Sequence, residues 1–331
     1  MTEKIKDFYN PRRLDLTEAV PLVTPLKVNI EPTNLCNIGC NFCPTADHEL
    51  VRSVRPQGVM SFDLFKKLVN DLYEFPDKIK LMELYQDGEP LVNKNFPEMA
   101  RHLADSGRAE FIKTKSNGLL LTPELIERLT ESHLNMIAFS IIAPGSAGYE
   151  QIAGRKVSYP DLVNNIARLY AVRGEMKIHV KMADVNFSQD DILKFYDDFE
   201  GITDTIAMED LHGWSRTEIK DFSLGKFQPH DIDPVVCPYP LYQLTINWNG
   251  AVRTCCVDWS WKTTIGDAAN HSIKEVWEGL QLYEFRKMHL EGRRNENIAC
   301  KNCTLINWRL DNVDDKRLQV LSKLDNVVKS R

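Results

Sequence analysis

Residues 36–43 read CNIGCNFC, and they place Cys36, Cys40 and Cys43 in one short loop after a predicted strand at 26–30. Three thiolates at the spacing C-x3-C-x2-C can bind three irons of a [4Fe-4S] cluster and leave the fourth iron without a protein ligand. An iron with an open position suits a catalyst, because it can chelate a small molecule. The alternative for this loop is a zinc site, for which His48 is the nearby fourth ligand.

The sequence around this loop alternates between short apolar runs and amphipathic stretches from about residue 25 to about residue 210. Thr122-Pro123 begins one helix with an N-cap and a proline at the first helical position, and Ser188 with Asp191 begins another. Strands that alternate with helices indicate an α/β fold, and six repeats predict a partial (β/α)6 barrel whose active-site groups gather at the carboxyl ends of the strands. The predicted strands are 26–30, 79–85, 110–115, 136–140, 177–182 and 205–209, and the predicted helices are about 61–75, 95–106, 123–132, 160–173 and 190–199.

The pattern changes after residue 210. Two predicted strands, 243–248 and 251–255, are joined by Asn249-Gly250, a dipeptide that favours a two-residue hairpin turn. Ser272 and Glu275 form a capping box, which predicts a helix to about residue 291. The sequence therefore predicts a small C-terminal domain made of a β-hairpin and helices.

Five further cysteines lie in this second region: Cys237, Cys255, Cys256, Cys300 and Cys303. In a reducing compartment, clustered cysteines are more often metal ligands than disulfides. Four of them can saturate a second [4Fe-4S] cluster, and the alternative is a structural zinc on the same thiolates. Adjacent residues on a strand point to opposite faces, so only one of Cys255 and Cys256 can easily face such a site.

Together these motifs resemble the radical S-adenosyl-L-methionine (SAM) superfamily. The first loop has the aromatic Phe42 directly before its third cysteine, and Gly88-Glu89-Pro90 is similar to the family's Gly-Gly-Glu-Pro motif, with Asp87 in place of the first glycine. The resemblance implies that a [4Fe-4S] cluster on Cys36, Cys40 and Cys43 cleaves SAM reductively to a 5′-deoxyadenosyl radical. It assigns SAM contacts to Phe42, Gly88, Glu89, Asn117, Ser140 and Lys181.

The C-terminal cysteine region resembles the SPASM/twitch extension of the same superfamily, in its single-cluster twitch form. The extension's Gly-x4-Cys spacing favours Cys255 over Cys256. The resemblance therefore implies a second, auxiliary [4Fe-4S] cluster on Cys237, Cys255, Cys300 and Cys303. The implied domains are an N-terminal extension at 1–24, a radical SAM core at 25–210, a SPASM/twitch domain at 211–309 and a C-terminal helix at 310–331.

Relatives with one auxiliary cluster include the group of the butirosin-pathway aminocyclitol dehydrogenase. This resemblance implies oxidation of a hydroxylated small molecule, such as a sugar or cyclitol, with the auxiliary cluster as the electron acceptor. Two alternatives stay open: an epimerase in which Cys256 donates a hydrogen atom, and a maturase that modifies a peptide. The expected partner is a reducing protein such as flavodoxin or ferredoxin. The candidates for the substrate pocket are Tyr85, Gln86, His179, Glu209, His212 and Trp214.

The composition argues against other classes of partner. Lys and Arg number 41 against 47 Asp and Glu, a net charge of −6, so there is no electrostatic reason to expect a nucleic acid. No apolar run is long enough to span a bilayer, and the polar first residues lack the apolar core of a signal peptide. We therefore expect a cytoplasmic enzyme with no nucleic-acid or membrane partner.

Overall fold

The computed structural model describes residues 14–211, 214–215, 234–308 and 311–329. Its strands are β1 (Lys27–Ile30), β2 (Leu81–Glu83), β3 (Ile112–Ser116), β4 (Met136–Ile141), β5 (Lys177–Asp184), β6 (Thr205–Asp210), β7 (Gln243–Ile246), β8 (Ala251–Arg253) and β9 (Thr264–Asp267). Over these residues the strands form one sheet in the order β6-β5-β4-β3-β2-β1-β7-β8-β9. All neighbours from β6 to β7 are parallel, whereas β8 is antiparallel to both β7 and β9.

This topology confirms the predicted α/β partial barrel followed by a C-terminal hairpin. Strand β7 runs parallel to β1, with Lys27 opposite Gln243 and Ile30 opposite Ile246. The hairpin therefore extends the core sheet instead of building a separate one. The sequence did not predict β9, because its four residues, TIGD, are too few to show an alternating pattern.

Most helices begin at the caps that the sequence provides, with Thr122 and Ser188 both bonded to the backbone as expected. One helix prediction is wrong. The single helix expected from Ser272 to about residue 291 is two helices, because Gly279 takes an extended conformation (φ −71°, ψ 157°) between them. The helices are α1 (Leu16–Ala19), α2 (His48–Val54), α3 (Phe62–Asp71), α4 (Phe96–Asp105), α5 (Pro123–Thr130), α6 (Ser146–Ala153), α7 (Tyr159–Val172), α8 (Gln189–Phe199), α9 (Tyr239–Tyr242), α10 (Ile273–Glu278), α11 (Leu280–Leu290) and α12 (Arg317–Lys329).

The two faces of the parallel sheet differ in polarity. The face that packs against the helices is apolar and buried, and it includes Val28, Met82, Phe139, Val180 and Leu244. Because side chains alternate along a strand, the residues between these positions line the inside of the barrel. That inner row is polar and carries Asn29, Glu83, Lys113, His179, Lys181 and Thr245.

The C-terminal region docks on the outer helices of the core. Lys67 on α3 donates to the carbonyl oxygen of Ala268 over 2.8 Å, and the Asp71 carboxylate accepts from the Ile273 amide over 3.0 Å. A second apolar cluster joins the two ends of the described chain, since Leu16 on α1 and Leu324 on α12 are both buried in it. Within the described residues, every helix is too short or too polar to cross a membrane.

Candidate active site

The three-cysteine loop lies at the carboxyl end of β1 and is tied to the end of α6. The Gly39 amide donates to the Ala153 carbonyl over 3.1 Å, and the Asn41 amide donates to the Ile152 carbonyl over 2.9 Å. Burial raises the pKa of Cys36 to about 12 and raises the pKa of Cys40 and Cys43 as well. Thiols with raised pKa values are protonated at neutral pH, and a group that binds them would have to stabilise the thiolates by direct bonding.

The Gly-Glu-Pro segment after β2 packs directly against this loop. A Cβ atom on Gly88 would lie 2.5 Å from the Leu35 carbonyl oxygen, so only glycine fits at that position. The Glu89 amide donates to the same carbonyl oxygen over 2.9 Å. The close approach of the two backbones therefore fixes Glu89 beside the loop that contains Cys36.

The Glu89 carboxylate is buried and accepts three hydrogen bonds. They come from the Asn117 amide at 2.7 Å, the Ser116 hydroxyl at 2.8 Å and the Leu91 amide at 3.0 Å. Burial nevertheless raises the pKa of Glu89 to about 7. In the described part of the chain no cationic side chain pairs with it, so this site fits the ammonium group of an amino acid.

The end of β3 reaches the cysteine loop through Asn117. Its side-chain amide donates to the Asn37 side chain over 2.7 Å and lies 4.0 Å from the Cys36 sulfur. The structure thus brings Cys36, Glu89 and Asn117 together at the carboxyl ends of three neighbouring strands. Phe42 belongs to the same loop, and its carbonyl oxygen accepts a hydrogen bond from the Trp214 indole over 3.2 Å.

Two other predicted SAM contacts lie on the inner face of the sheet. Ser140 on β4 and Lys181 on β5 are directly opposite each other. Lys181 forms an ion pair with Glu209 on β6, which places both residues inside the barrel. His179, two residues earlier on the same strand, contacts the Thr205 hydroxyl over 2.8 Å. His212, the remaining pocket candidate on this side, lies outside the described residues.

Four of the five C-terminal cysteines line one small cavity: Cys237, Cys255, Cys300 and Cys303. Burial raises the pKa of Cys237 to about 12 and raises the pKa values of the other three. His289 also lines the cavity, with its Nε2 atom 3.8 Å from the Cys300 sulfur. Sequence reasoning missed this histidine, because its proximity to Cys300 depends on how α11 packs.

Cys256 is not among the residues that line this cavity. Its carbonyl oxygen accepts a hydrogen bond from the Gln86 side chain in the loop after β2. Burial and Glu83 raise the pKa of Tyr85 well above its ordinary value, and Cys256 makes a smaller contribution in the same direction. Cys255 therefore lines the cysteine cavity, whereas Cys256 lies between the two regions, where it interacts electrostatically with Tyr85 and also with Cys237 and Cys303.

The donor sets fit iron–sulfur clusters better than single metal ions. Among the described residues, no three His, Cys, Asp or Glu side chains are arranged to hold one metal ion. A tetrahedral zinc site requires such an arrangement, whereas a cubane cluster joins thiolates that lie farther apart. This geometry disfavours the zinc alternatives for both cysteine groups.

The barrel interior contains a charged layer that the sequence did not reveal. Glu83 on β2 forms ion pairs with Lys27 at 2.5 Å and with Lys113 at 2.8 Å. Although burial opposes it, these two lysines hold the pKa of Glu83 well below its ordinary value. Lys115 lies over the Tyr85 ring, 4.7 Å from its centroid. The spacing of Lys113 and Lys115 puts them on one face of β3, but lysines on one strand face usually meet solvent.

A parallel partial barrel with a three-cysteine loop at its strand ends defines a class of SAM-dependent iron–sulfur enzymes. The family model for the radical SAM superfamily matches residues 30–196, and the chain belongs to this superfamily. A second model, for an iron–sulfur cluster-binding domain (SPASM), matches residues 237–304. The predicted membership is confirmed, and the cofactors of the protein are SAM and [4Fe-4S] clusters.

Two curated relatives match different shares of the chain. A tungsten-containing aldehyde ferredoxin oxidoreductase cofactor-modifying protein from Pyrococcus furiosus is 34% identical over 112 residues, but these cover 34% of this chain and 29% of that protein. The S-adenosyl-L-methionine-dependent 2-deoxy-scyllo-inosamine dehydrogenase from Niallia circulans is 24% identical over 279 residues. That alignment covers 83% of this chain and 91% of the dehydrogenase.

Solved structures share the fold. BtrN in complex with SAM and 2-DOIA superposes with a TM-score of 0.55 at 21% identity, over 84% of this chain and 92% of that chain. SuiB from Streptococcus suis, bound to SAM, superposes with a TM-score of 0.59 at 14% identity. The superposition covers 86% of this chain and 72% of the SuiB chain. Both likenesses concern the fold alone.

Proposed function

We propose that this radical SAM enzyme dehydrogenates a hydroxylated small molecule such as a sugar or cyclitol. The observation that carries the proposal is the shared cavity of four cysteines, which supplies a complete ligand set for an auxiliary cluster. A cluster with four protein ligands has no open iron for substrate, and so it suits an electron acceptor. The similarity to a cyclitol dehydrogenase along 83% of the chain supports the same reaction.

The proposed ligands follow the two cysteine groups. Cys36, Cys40 and Cys43 hold the SAM-binding cluster in the core, which spans residues 25–210. The auxiliary ligands, in the C-terminal domain at 211–309, are Cys237, Cys255, Cys300 and Cys303. Cys255 is assigned here because it lines the cavity and Cys256 does not.

The proposed SAM site begins at Glu89. Its buried carboxylate binds the SAM ammonium, which supplies the cation that the described protein lacks at this position. The side chain of Asn117 holds the cluster loop against the end of β3, and the backbone amide of Asn117 donates a hydrogen bond to Glu89. Phe42, Gly88, Ser140 and Lys181 complete the proposed set of residues around SAM.

When bound, SAM and the two clusters supply a 5′-deoxyadenosyl radical for hydrogen-atom abstraction and an acceptor for one electron. A hydroxyl-bearing carbon that loses its C–H hydrogen atom, its O–H proton and one electron becomes a carbonyl. Burial lowers the pKa of His179 to about 4, so its imidazole is neutral and a ring nitrogen can relay that proton to water but not keep it. A reducing protein such as flavodoxin or ferredoxin is the proposed source of the electron that starts each turnover.

The experiment incubates the anaerobically reconstituted enzyme with SAM, dithionite and a panel of cyclitols and sugars. The proposal predicts 5′-deoxyadenosine and a carbonyl product in equal amounts. An epimer with solvent deuterium at the reacting carbon, lost in Cys256→Ser, would instead establish the epimerase. Formation of 5′-deoxyadenosine only with a peptide would establish the maturase and overturn the proposal.

A further inference from the structure

The charges inside the barrel do not balance among the described residues. Four lysines face the interior, and two glutamates, Glu83 and Glu209, face them. Glu83 is shared by Lys27 and Lys113, and Glu209 is paired with Lys181. The fourth lysine, Lys115, has no carboxylate partner in the described part of the chain.

Lys115 is half-buried, and the contact that its ammonium makes in the described part of the chain is with an aromatic ring, while Glu83 and Glu209 act on it only at longer range. The ammonium lies 4.7 Å from the centroid of the Tyr85 ring. A cation–π contact of this kind is worth about 0.5–2 kcal/mol, which is less than the cost of removing an unpaired ammonium from water. Such a charge is retained inside a protein where a ligand of opposite charge compensates it.

The positive charge of Lys115 affects the pKa values of its neighbours. Burial lowers the pKa of Lys181 to about 8, and Lys115 lowers it further against the opposing effect of Glu209. Burial also lowers the pKa of His179, Glu209 opposes this effect, and the surrounding lysines add to it. Lys181 and His179 therefore report one electropositive region that extends from β3 to β5.

The strand register places small residues between the charged residues of this region. Lys115 is opposite Ala138 on β4, and Ala138 is opposite His179 on β5. One step further along the strands, Lys181 lies between Ser140 and Ala207. Small side chains thus separate the two lysines across the inner face of the sheet.

We propose that the substrate is an anionic, hydroxylated small molecule whose carboxylate or phosphate group binds Lys115. This inference rests on the proposed function and names the substrate class of that same site. Asn117, two residues after Lys115 and just past the end of β3, contacts the cysteine loop. An anionic group bound to Lys115 therefore holds the rest of the substrate near the place where the radical forms. The anionic group itself is not changed in the reaction.

The alternative anion that could bind Lys115 is the carboxylate of SAM. Both occupants are anions, but they predict different effects of Lys115→Met. Loss of a SAM contact raises the KM for SAM equally with every substrate. Loss of a substrate contact removes the preference for anionic over neutral substrates and leaves the KM for SAM in place.

The experiment compares matched probes on the reconstituted holoenzyme at saturating SAM. The pairs are myo-inositol with myo-inositol 1-phosphate, and glucose with glucose 6-phosphate and with glucuronate. Calorimetric titration is expected to give at least about tenfold tighter binding of an anionic member. The phosphate and carboxylate arms identify which group is recognised.

Three variants complete the test. Lys115→Met is expected to abolish the preference, and Lys115→Arg, which keeps the charge, to retain most of it. Lys80→Met, which removes an exposed lysine paired with Glu110, is expected to bind every probe as the wild type does. Equal binding of neutral and anionic probes, or a preference that survives Lys115→Met, overturns the inference, as does a raised KM for SAM with the preference intact.

Measuring binding and product together separates recognition of the anion from dehydrogenation. Oxidation of a neutral sugar or cyclitol without preference for its anion leaves the dehydrogenase in place and removes the anionic substrate. Tight binding of an anionic probe that depends on Lys115, with no carbonyl product, keeps the recognition of the anion and refutes the dehydrogenation.

Discussion

Arg253, on strand β8 of the C-terminal region, donates a hydrogen bond over 2.9 Å to the carboxylate of Asp87 in the loop after β2. Arg55, which follows α2, binds the same carboxylate oxygen. All three side chains are buried, with at most 6% of each residue exposed. Asp87 therefore connects the segment after the cysteine loop, the proposed SAM motif and the auxiliary region in one ion network.

This network explains the departure of the chain from the Gly-Gly-Glu-Pro pattern at position 87. A neutral residue cannot replace this aspartate without cost, because its carboxylate binds two guanidinium groups. We expect Asp87→Asn to lower the free energy of unfolding by about 3 kcal/mol, since it removes the carboxylate bonded to both buried guanidinium groups and leaves Glu31 as the acidic group near both of them. Chemical denaturation of the anaerobic protein measures this loss.

The matched control for Asp87 is Asp105→Asn, because Asp105 has a side chain that is 60% exposed. That change should alter the stability by about 0.5 kcal/mol or less. Equal effects of the two substitutions would show that the buried network does not hold the two regions together.

Gly88 supplies a second test of how the proposed SAM motif is positioned. We expect Gly88→Ala to displace Glu89 and to weaken SAM binding by about tenfold or more, because the new methyl group would overlap the Leu35 carbonyl oxygen. Equilibrium binding of SAM to the reconstituted protein measures the effect. Gly201→Ala is the control, since a Cβ at Gly201 meets no atom within 4 Å. Wild-type affinity in Gly88→Ala would contradict the close approach.

The sequence predicted the parts of the molecule that depend on local spacing. The cysteine loop, eight of the nine described strands and most helix caps follow from patterns within a few residues of one another. The contact between Asp87 and Arg253 joins residues 166 positions apart, and nothing local marks either one as a partner of the other. Lys115 was missed for a related reason: the sequence gives the strand face on which it lies, but the closure of the barrel decides whether that face meets water.

The auxiliary ligands can be tested by iron content. We expect Cys255→Ala, Cys300→Ala and Cys303→Ala each to lose about four irons per chain, because each removes a ligand of one [4Fe-4S] cluster. Cys256→Ala is the matched control and should keep both clusters, since Cys256 does not line the cavity. Loss of iron from Cys256→Ala with full iron in Cys255→Ala would reverse the assignment of the adjacent pair.

His289 tests the surroundings of the same proposed cluster. Its ring nitrogen lies 3.8 Å from the Cys300 sulfur, where a donated hydrogen bond would stabilise the reduced cluster. We expect His289→Phe to keep the iron content and to make the auxiliary cluster harder to reduce. Protein-film voltammetry measures the potential, and an unchanged potential would show that the histidine only fills space.

The pKa of Glu89 gives a pH-dependent prediction. Its folded value of about 7 lies above the ordinary value of 4.5, so the folded chain binds more protons than the unfolded chain between these two values. Stability therefore falls as the pH rises through this window, by about 3 kcal/mol for the full shift. Glu31, whose pKa burial also raises to about 7, titrates in the same range, so the comparison must be with Glu89→Gln, in which Glu31 is unchanged.

Bound SAM should reverse this loss, because its ammonium compensates the ionised Glu89. We expect SAM to raise the melting temperature of the wild type more at pH 8 than at pH 6, and to have a smaller, nearly pH-independent effect on Glu89→Gln. Loss of the charge-assisted contact should weaken SAM binding by about 10- to 100-fold. If the SAM-induced rise in melting temperature varies with pH in the same way in the wild type and in Glu89→Gln, the carboxylate does not contact the SAM ammonium. The proposed site would then have to be centred elsewhere on the strand ends.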